Sequence, residues 1–233
     1  YQVDSEFGTE ADLIELVELC HERNVKVILD LAINHSAKNN EWFTKFAEAH
    51  KNGNSSDPYY DIYSWATLEN RTPGVAYSKI PGSSDFYECN FSTEMPELNF
   101  DNTEVRQAML DVAKYYLDLG VDGFREDVIT YISKAEGLPD DKLFPIYKGM
   151  PKYNHGPHIH EYLAEFKRDV LDHYDCFTIA EAPLVWPKQA LKYIDEEKGQ
   201  IDMMIQFQCV AADCFLSDYY PMKFSLLRMK KAF

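Results

Sequence analysis

Short apolar segments rich in β-branched residues alternate with helical segments along most of this chain. Their spacing predicts strands at residues 25–29, 121–124, 176–180 and 203–207. Strands that alternate with helices form a parallel sheet, because each helix carries the chain back to the edge where the next strand starts. Neither of the phosphate-binding patterns GxGxxG and GxxxxGKS/T occurs. The sequence therefore predicts an α/β fold that is part of a (β/α)8 TIM barrel, with about four β/α units.

The helical segments carry end signals. Thr9 followed by Asp12, and Asp101 followed by Glu104, each predict a capping box that opens a helix. Gly120 suits the end of the second of these helices. Further helices are predicted at residues 42–49, 158–173 and 187–197, with a last one from about residue 224.

Residues 36–98 interrupt the alternation. This stretch is polar, rich in Asn, Ser and Tyr, and broken by Pro and Gly. A structureless loop of this length is improbable in a compact domain, so the stretch is predicted to be an inserted domain. The predicted organisation is a barrel segment at residues 1–35, the insertion at residues 36–98, and a second barrel segment at residues 99–233.

Charge and composition restrict the partners. The formal net charge is −16, and such a surface repels the phosphates of nucleic acids. No apolar run approaches the ~18 residues that a membrane helix needs. Aromatic residues make up 14% of the chain, which suits either stacking on sugar rings or a Tyr-rich core. We therefore expect neither a nucleic acid nor a membrane as a partner, and the oligomeric state stays open.

The cysteines and the N-terminus bear on the compartment. Five cysteines, an odd number without a CxxC pair, indicate reduced and mostly buried thiols, which favours a cytoplasmic location. The N-terminus has no basic region and no apolar stretch typical of a signal peptide, and it lacks an initiator Met. We expect from this that the chain starts inside a longer protein.

Charged residues recur where the predicted strands end. Asp30 follows the first strand, Arg125 and Asp127 follow the second, and Glu181 follows the third. Parallel barrels place catalysis at these carboxyl ends, although each residue alone could instead cap a helix or turn. Their recurrence in three β/α units favours a shared site.

Two carboxylates on one face can hydrolyse an acetal. One attacks the anomeric carbon, and the other protonates the leaving oxygen and later deprotonates water, at a separation of about 5–5.5 Å in a retaining enzyme. Asp127 suits the nucleophile, because Arg125 lies two residues earlier on the same strand face and could keep it ionised. Glu181 suits the acid, because it follows an apolar strand.

The same segments resemble the signatures of the α-amylase superfamily, glycoside hydrolase family 13. Residues 30–35, Asp-Leu-Ala-Ile-Asn-His, resemble its first signature. Residues 123–127, Gly-Phe-Arg-Glu-Asp, resemble the second, and residues 178–181, Thr-Ile-Ala-Glu, resemble the third. Residues 95–99, Met-Pro-Glu-Leu-Asn, resemble the signature near the end of the family's inserted domain B. With four signatures in the family's order, the chain is identified as a member.

The resemblance implies a role for each matching residue. Asp127 would be the nucleophile, Glu181 the acid/base, and Arg125 would orient Asp127. Asp30 and His35 would surround the glucose in the −1 subsite, with His35 donating to its hydroxyls. An oligosaccharide substrate and no required cofactor are implied as well.

A structural calcium ion and the completeness of the site are further expectations. In some members the Asn of the first signature binds calcium, so Asn34 is a candidate ligand, although residues 36–98 show no EF-hand-like spacing. The family's fourth signature, Asn-His-Asp with a third catalytic carboxylate, has no match in this chain. We expect the complete enzyme to be active and this segment alone to be inactive.

Val128, directly after Asp127, bears on linkage specificity. In the oligo-1,6-glucosidase branch, which residues 127–134 and 154–163 resemble, a valine here accompanies α-1,6 preference and a smaller residue accompanies α-1,4 preference. Val128 could equally be a packed β-branched residue, and residues 86–91 look more like amylase-type members. The sequence favours an α-1,6-glucosidase. An α-1,4-glucosidase, an α-amylase, and a glucosyl transferase or isomerase are the alternatives.

A non-catalytic function is a further alternative. Some relatives in the superfamily are partner subunits of membrane transporters, and these usually lose the catalytic carboxylates. Here Asp127, Glu181, Arg125 and His35 are all present, which favours the enzyme.

Overall fold

Four short strands form a parallel sheet in the computed structural model of this chain, which describes residues 3–135, 150–183, 185–195, 199–205, 207, 213–215 and 217–232. The α-helices are α1 (Glu10–His21), α2 (Glu41–Lys51), α3 (Thr103–Asp118), α4 (Met150–Tyr153), α5 (Ile159–Asp169), α6 (Pro187–Ile194) and α7 (Leu226–Ala232). The strands are β1 (Leu29–Leu31), β2 (Trp65–Ala66), β3 (Tyr77–Lys79), β4 (Phe86–Glu88), β5 (Gly123–Glu126), β6 (Phe177–Glu181), β7 (Met203–Ile205), β8 (Cys214–Phe215) and β9 (Ser217–Pro221). Short 3₁₀ helices lie at Ile129–Tyr131 and Leu171–His173.

The strand order confirms the parallel sheet that the alternation predicts. The sheet has the order β1–β5–β6–β7, and each neighbouring pair is parallel. A separate antiparallel sheet has the order β2–β4–β3, and β8 pairs with β9.

The register of the parallel sheet sorts side chains onto two faces. Glu126 of β5 lies opposite Ala180 of β6. Successive residues of a strand point to opposite faces, so Arg125 and Asp127 share one face and Glu126 belongs to the other. Continued by one residue, the register places Asp127 and Glu181 at the same level on neighbouring strands.

The first two strands begin later than predicted. The apolar runs at residues 25–29 and 121–124 placed them too early, whereas β1 and β5 extend into polar residues. Val25 and Ile28 are 51% and 38% exposed, so their apolar side chains do not mark a buried strand. The third and fourth predicted strands overlap β6 and β7 and are confirmed.

The helix starts are partly confirmed. The Thr9 hydroxyl accepts from the Asp12 amide at 3.3 Å and the Asp12 carboxylate accepts from the Thr9 amide at 2.7 Å, which is the predicted capping box. The predicted cap at Asp101 is wrong, because the Asn102 side chain accepts from the Glu104 amide at 2.9 Å and α3 begins after it. No helix within the described residues is long and apolar enough to cross a membrane.

Contacts between residues divide the chain into two compact units. The first contains the parallel sheet and comprises Tyr1–Leu31, Ala113–Ile129 and Leu163–Phe233. The second contains the β2–β4–β3 sheet and comprises Ala32–Val112 and Thr130–Tyr162. The domain boundaries inferred from composition stay a prediction.

Aromatic residues form the core of the second unit. Phe43 and Phe46 of α2 contact Tyr87 and Tyr63 edge to face, at ring-centroid distances of 5.0 and 5.2 Å. All four are buried. The Asn40 side chain caps α2 by accepting from the Phe43 amide at 2.9 Å. The helix predicted at residues 42–49 is thus confirmed.

Glycine is required where β5 meets β6. Gly123 has a φ of +145°, and a Cβ built on it would lie 1.9 Å from the Phe177 carbonyl oxygen. Any other residue would push the two strands apart. The glycine of the second signature thus permits the close approach of the strands that carry Asp127 and Glu181.

A buried aspartate joins α1, β1 and β5 at the end of the sheet where β5 starts. The Asp122 carboxylate accepts from Lys26 Nζ at 2.7 Å and from the Val27 amide at 2.8 Å, and it lies 2.6 Å from His21 Nε2. Burial alone would raise the pKa of Asp122, but these hydrogen bonds and the charge of His21 lower it to about 2. The interaction therefore stabilises the first unit whenever Asp122 is ionised.

We predict that Asp122→Asn lowers the free energy of unfolding of the complete protein by about 2 kcal/mol at neutral pH, because it removes the charged acceptor whose hydrogen bonds lower the pKa of Asp122 to about 2. Because the folded-state pKa is depressed, this stability is present above the ordinary value of 3.8 and is lost as pH falls towards 2. Urea denaturation at pH 7, 5 and 3 measures it. Asp172→Asn removes only an exposed pair with Lys167 and should cost little. A loss for Asp122→Asn that does not shrink with acid would contradict the assignment.

Candidate active site

The Arg125 guanidinium gathers three carboxylates of the first unit. Its Nη1 donates to Asp127 Oδ1 at 2.5 Å and lies 3.3 Å from Asp30 Oδ1, and its Nη2 donates to Glu181 Oε2. The Arg125, Asp127 and Glu181 side chains are 29%, 24% and 15% exposed, whereas Asp30 is 71% exposed. The structure thus brings together four of the residues that the sequence singled out.

The strands fix these side chains in a slightly different way from the prediction. Asp30 lies inside β1, Arg125 lies inside β5 and Glu181 is the last residue of β6, so none of them follows its strand. Asp127 does follow β5, and its amide donates to the Leu31 carbonyl at 3.0 Å. This bond extends the parallel ladder one residue beyond β5 and holds the backbone that carries the Asp127 carboxylate.

The level of Asp127 and Glu181 on neighbouring strands suits retaining glycoside chemistry. Neighbouring strands lie about 4.8 Å apart, close to the separation of about 5–5.5 Å that retaining enzymes use. Arg125 contacts both carboxyl groups through charge-assisted hydrogen bonds, which are stronger and more directional than neutral ones. The arrangement therefore holds two carboxyl groups side by side, as two-carboxylate glycoside chemistry requires.

Val128 has a strained backbone directly after Asp127. Its φ is +39° and its side chain is 4% exposed. This region is a genuine outlier for a β-branched residue and costs on the order of 1–3 kcal/mol. Such strain persists only where the surroundings enforce it, so Val128 is not an interchangeable packing residue.

His35 lies in the second unit, where it contacts an aromatic stack. Its ring lies 5.4 Å from that of Phe91, which stacks on Tyr131 at 5.7 Å. Phe91 is 44% exposed, whereas Tyr131 is buried. The sequence did not single out Phe91, because aromatic richness alone cannot say which ring stays accessible. An accessible ring beside an imidazole suits contact with the apolar face of a sugar.

Asn34, the candidate calcium ligand, is bonded to a buried lysine. Lys134 Nζ donates to Asn34 Oδ1 at 3.0 Å and to the Tyr131 carbonyl at 2.6 Å, and it forms an ion pair with Glu97. The other Glu97 oxygen accepts from the Asn90 amide at 3.1 Å. Within the described residues, no group of three or more His, Cys, Asp or Glu could hold a metal ion. A calcium ion at Asn34 would have to displace this ammonium.

We predict that Lys134→Met destabilises the complete protein by about 3–5 kcal/mol, because it leaves the Glu97 carboxylate buried and unpaired. We also predict that EGTA leaves the melting temperature of the unsubstituted protein unchanged, since the ammonium occupies the Asn34 oxygen. Thermal unfolding of both proteins with and without EGTA measures these effects. Lys38→Met, which removes a longer and more exposed pair with Glu94, is the matched control. A fall in melting temperature on chelation would show that calcium binds after all.

The comparison with known families decides the membership of the chain. The sequence model of the family described as Alpha amylase, catalytic domain, matches residues 1–233. The chain belongs to this family. The identification made from the four signatures is confirmed, as is the α/β fold class.

Three relatives illustrate the likeness. Over 242 aligned residues the chain is 35% identical to an oligo-1,6-glucosidase of Bacillus cereus. This alignment covers 99% of the chain and 42% of the relative. The solved trehalose-6-phosphate hydrolase of Bacillus licheniformis is similar with a TM-score of 0.86 and 30% identity. A mutant of the trehalulose synthase MutB is similar with a TM-score of 0.88 and 29% identity. Each structural match covers 99% of this chain and 42% of the other.

These matches confirm that the chain forms part of a (β/α)8 barrel. The chain spans about 42% of the length of the relatives that it matches, and the matching structures are TIM-barrel members of the same family. The parallel strands β1, β5, β6 and β7 therefore correspond to a portion of the barrel wall.

Proposed function

We propose that the complete protein is a retaining glycosidase that acts on α-glucosidic bonds of oligosaccharides. The observation that carries the proposal is the convergence of Asp127 and Glu181 on the Arg125 guanidinium at the carboxyl ends of neighbouring parallel strands. The family membership and the oligo-1,6-glucosidase of Bacillus cereus among the relatives support it.

In the proposed reaction, the Asp127 carboxylate attacks the anomeric carbon as the glycosidic C–O bond breaks. The protonated Glu181 gives its proton to the departing oxygen, which leaves a glycosyl ester on Asp127 and a carboxylate on Glu181. Glu181 then takes a proton from water, whose oxygen attacks the anomeric carbon and frees Asp127. Arg125 donates hydrogen bonds to both carboxyl groups and so orients Asp127 and holds Glu181 beside it. Asp30, which contacts Arg125, is proposed to bind the glucose ring. The role of His35 as a donor to glucose hydroxyls stays a prediction from the family resemblance.

We predict different activity losses for the two carboxyl groups. Asp127→Asn removes the nucleophile, so the complete enzyme should lose activity on every glucoside by more than about 10⁴-fold. Glu181→Gln removes only the proton donor, so it should retain turnover of aryl glucosides with good leaving groups and lose it on oligosaccharides. Initial rates on nitrophenyl α-glucoside and on isomaltose measure both.

Two outcomes would contradict these assignments. Equal losses on both substrates for Glu181→Gln would remove Glu181 from the acid/base role. Full activity of Asp127→Asn would remove Asp127 as the nucleophile. Circular dichroism and the melting temperature of each variant must match those of the unsubstituted enzyme, so that misfolding does not imitate either result.

For the linkage, we propose α-1,6 preference. The support is Val128, which is buried and strained beside the nucleophile, together with the Bacillus cereus relative. α-1,4-glucosidase activity is the second candidate. The names of the similar solved proteins suggest trehalose-6-phosphate hydrolysis and sucrose isomerisation as further candidate activities. Isomerisation proceeds through the same glycosyl-enzyme and differs in what accepts the sugar.

We predict that the complete enzyme releases glucose faster from isomaltose than from maltose. Val128→Ala should lower this ratio by about tenfold, because it removes two methyl groups from a buried position next to Asp127 and eases the backbone strain there. Rates on isomaltose, maltose, trehalose-6-phosphate and sucrose measure the preference. Val121→Ala truncates another buried valine of the same unit, before β5, and should lower stability without changing the ratio.

Each remaining outcome selects another function. Faster release from maltose would favour the α-1,4 candidate. Turnover of trehalose-6-phosphate alone would favour the hydrolysis of that sugar phosphate, and turnover of sucrose alone would favour isomerisation. Release from none of the four would support the non-catalytic, transporter-associated alternative. The cytoplasmic location is likewise a proposal, supported by the free thiols of Cys20, Cys89 and Cys176.

A further inference from the structure

Glu126, the last residue of β5, lies between Arg125 and Asp127 in the chain and points to the opposite face. Glu126 follows Arg125 and precedes Asp127, so the alternation of the strand directs it away from the carboxylate cluster. Its register neighbours are Leu31 on β1 and Ala180 on β6. Both are apolar and almost fully buried, so the surroundings of Glu126 on this face are those of a core position.

The Glu126 carboxyl group is buried without compensation. The residue is 0% exposed, and within the described part of the chain neither Oε1 nor Oε2 has a hydrogen-bond partner. A carboxylate in such a place would lack both water and a counter-ion, which is among the most unfavourable states of a protein side chain. The neutral acid avoids most of that cost, because only a hydroxyl and a carbonyl then remain unpaired.

The charges around Glu126 act in the same direction. Burial, and then the negative charge of Asp202 beside β7, raise the pKa of Glu126 to about 8. Asp202 itself accepts from the Thr178 amide at 2.8 Å and from the Thr178 hydroxyl at 3.0 Å. Burial raises the pKa of the Cys176 thiol, which lies before β6. The charges of Asp202, Asp175 and Glu126 raise this pKa further, whereas Lys167 of α5 lowers it. Among the described residues, none of these groups offers Glu126 a paired positive charge.

We propose that Glu126 is a positioning residue that must stay protonated for β5 to keep its place, and that its ionisation disables the neighbouring site at alkaline pH. An ionised Glu126 can be stabilised only if water enters or if the residue turns out of the core. Either change displaces the adjacent peptide units, which carry Arg125 and Asp127. Glu126 touches no substrate in this scheme and acts only through the strand.

The direction of the pH effect follows from linkage. A carboxyl group whose pKa is raised in the folded state stabilises that state below its ordinary value, 4.5 here, relative to higher pH. The folding equilibrium constant should therefore fall, by up to about tenfold per pH unit, between pH 4.5 and about 8, and become level above that. A glutamine at this position is neutral throughout and contributes no such fall.

The test compares the complete protein with Glu126→Gln, which keeps the shape, and Glu126→Met, which keeps the length without polarity. Urea denaturation from pH 5 to pH 9.5 should show a steeper fall in the unsubstituted protein than in either variant, in which other groups such as the buried Glu88 still contribute. The infrared difference between it and Glu126→Gln should contain a protonated carboxyl C=O band at pH 6.5 that disappears at alkaline pH. Asp202→Asn should move that disappearance to lower pH, because a negative neighbour has been removed.

The activity measurement rests on the function proposed above. All three proteins should be active at pH 6.5. The unsubstituted enzyme should lose kcat reversibly and more steeply with rising pH than the two variants, in which only the loss of the Glu181 proton contributes. Parallel pH dependence of stability and kcat in all three would overturn the proposal, as would a carboxylate band at pH 6.5. The infrared and denaturation measurements need no substrate, so absence of glycosidase activity would refute the proposed function and leave this proposal to be decided by them.

Discussion

One guanidinium makes the carboxylate cluster possible. Two like charges about 4 Å apart repel by about 4 kcal/mol near a protein surface, so a cation among Asp30, Asp127 and Glu181 offsets the repulsion between those that are ionised. Arg125 lies on the strand between β1 and β6, which lets one planar group reach all three. The geometry of the site therefore depends on the strand order, because the same arginine on an outer strand would reach only one neighbour.

The sequence predicted the site better than it predicted the strands. Asp30, Arg125, Asp127 and Glu181 were found because polar residues recur at one end of each β/α unit. The strand starts were misplaced, because the apolar run at Val25 lies on the surface while the hydrogen-bonded strand continues into charged residues. An apolar run locates a strand only if the polar residues lie outside it. Here the polar residues Asp30 and Arg125 lie inside the strands, because they form the carboxylate cluster at this edge of the sheet.

The partner of Asn34 was beyond the reach of the sequence. Lys134 lies 100 residues further along the chain, and nothing in its local pattern marks a buried ammonium. Phe91 was missed for a related reason, since exposure of one ring among many is decided by tertiary packing. The residues that motifs predict well are those whose chemistry is repeated along the chain. Residues such as Asn34 and Lys134, which contact each other from distant parts of the chain, can be identified only from the folded structure.

Most of the buried acidic groups have partners, as Asp122 of the first unit does in Lys26 and His21. In the second unit, Glu97 and Lys134 are paired, and Glu88 accepts from the Asn90 side chain at 2.8 Å and lies 4.0 Å from Lys152. Burial and the charge of Glu97 nevertheless raise the pKa of Glu88. In the first unit, a glutamate of β5 is buried without any such partner among the described residues. Glu97 is thus compensated by a cation, whereas Glu126 has no such compensation, which is why the proposal assigns it the neutral form.

The segment from Gly123 to Val128 shows why one strand can hold so many constraints. Gly123 leaves room for the Phe177 carbonyl, the Asp127 amide donates to β1, and Val128 keeps a left-handed backbone. That strain persists because both of its ends are fixed, by the hydrogen bond of Asp127 on one side and by the fully buried Ile129 on the other. The Asp127 carboxylate is therefore held in a fixed place, as the proposed attack on an anomeric carbon requires, and Val128 lies where the proposed linkage preference could arise.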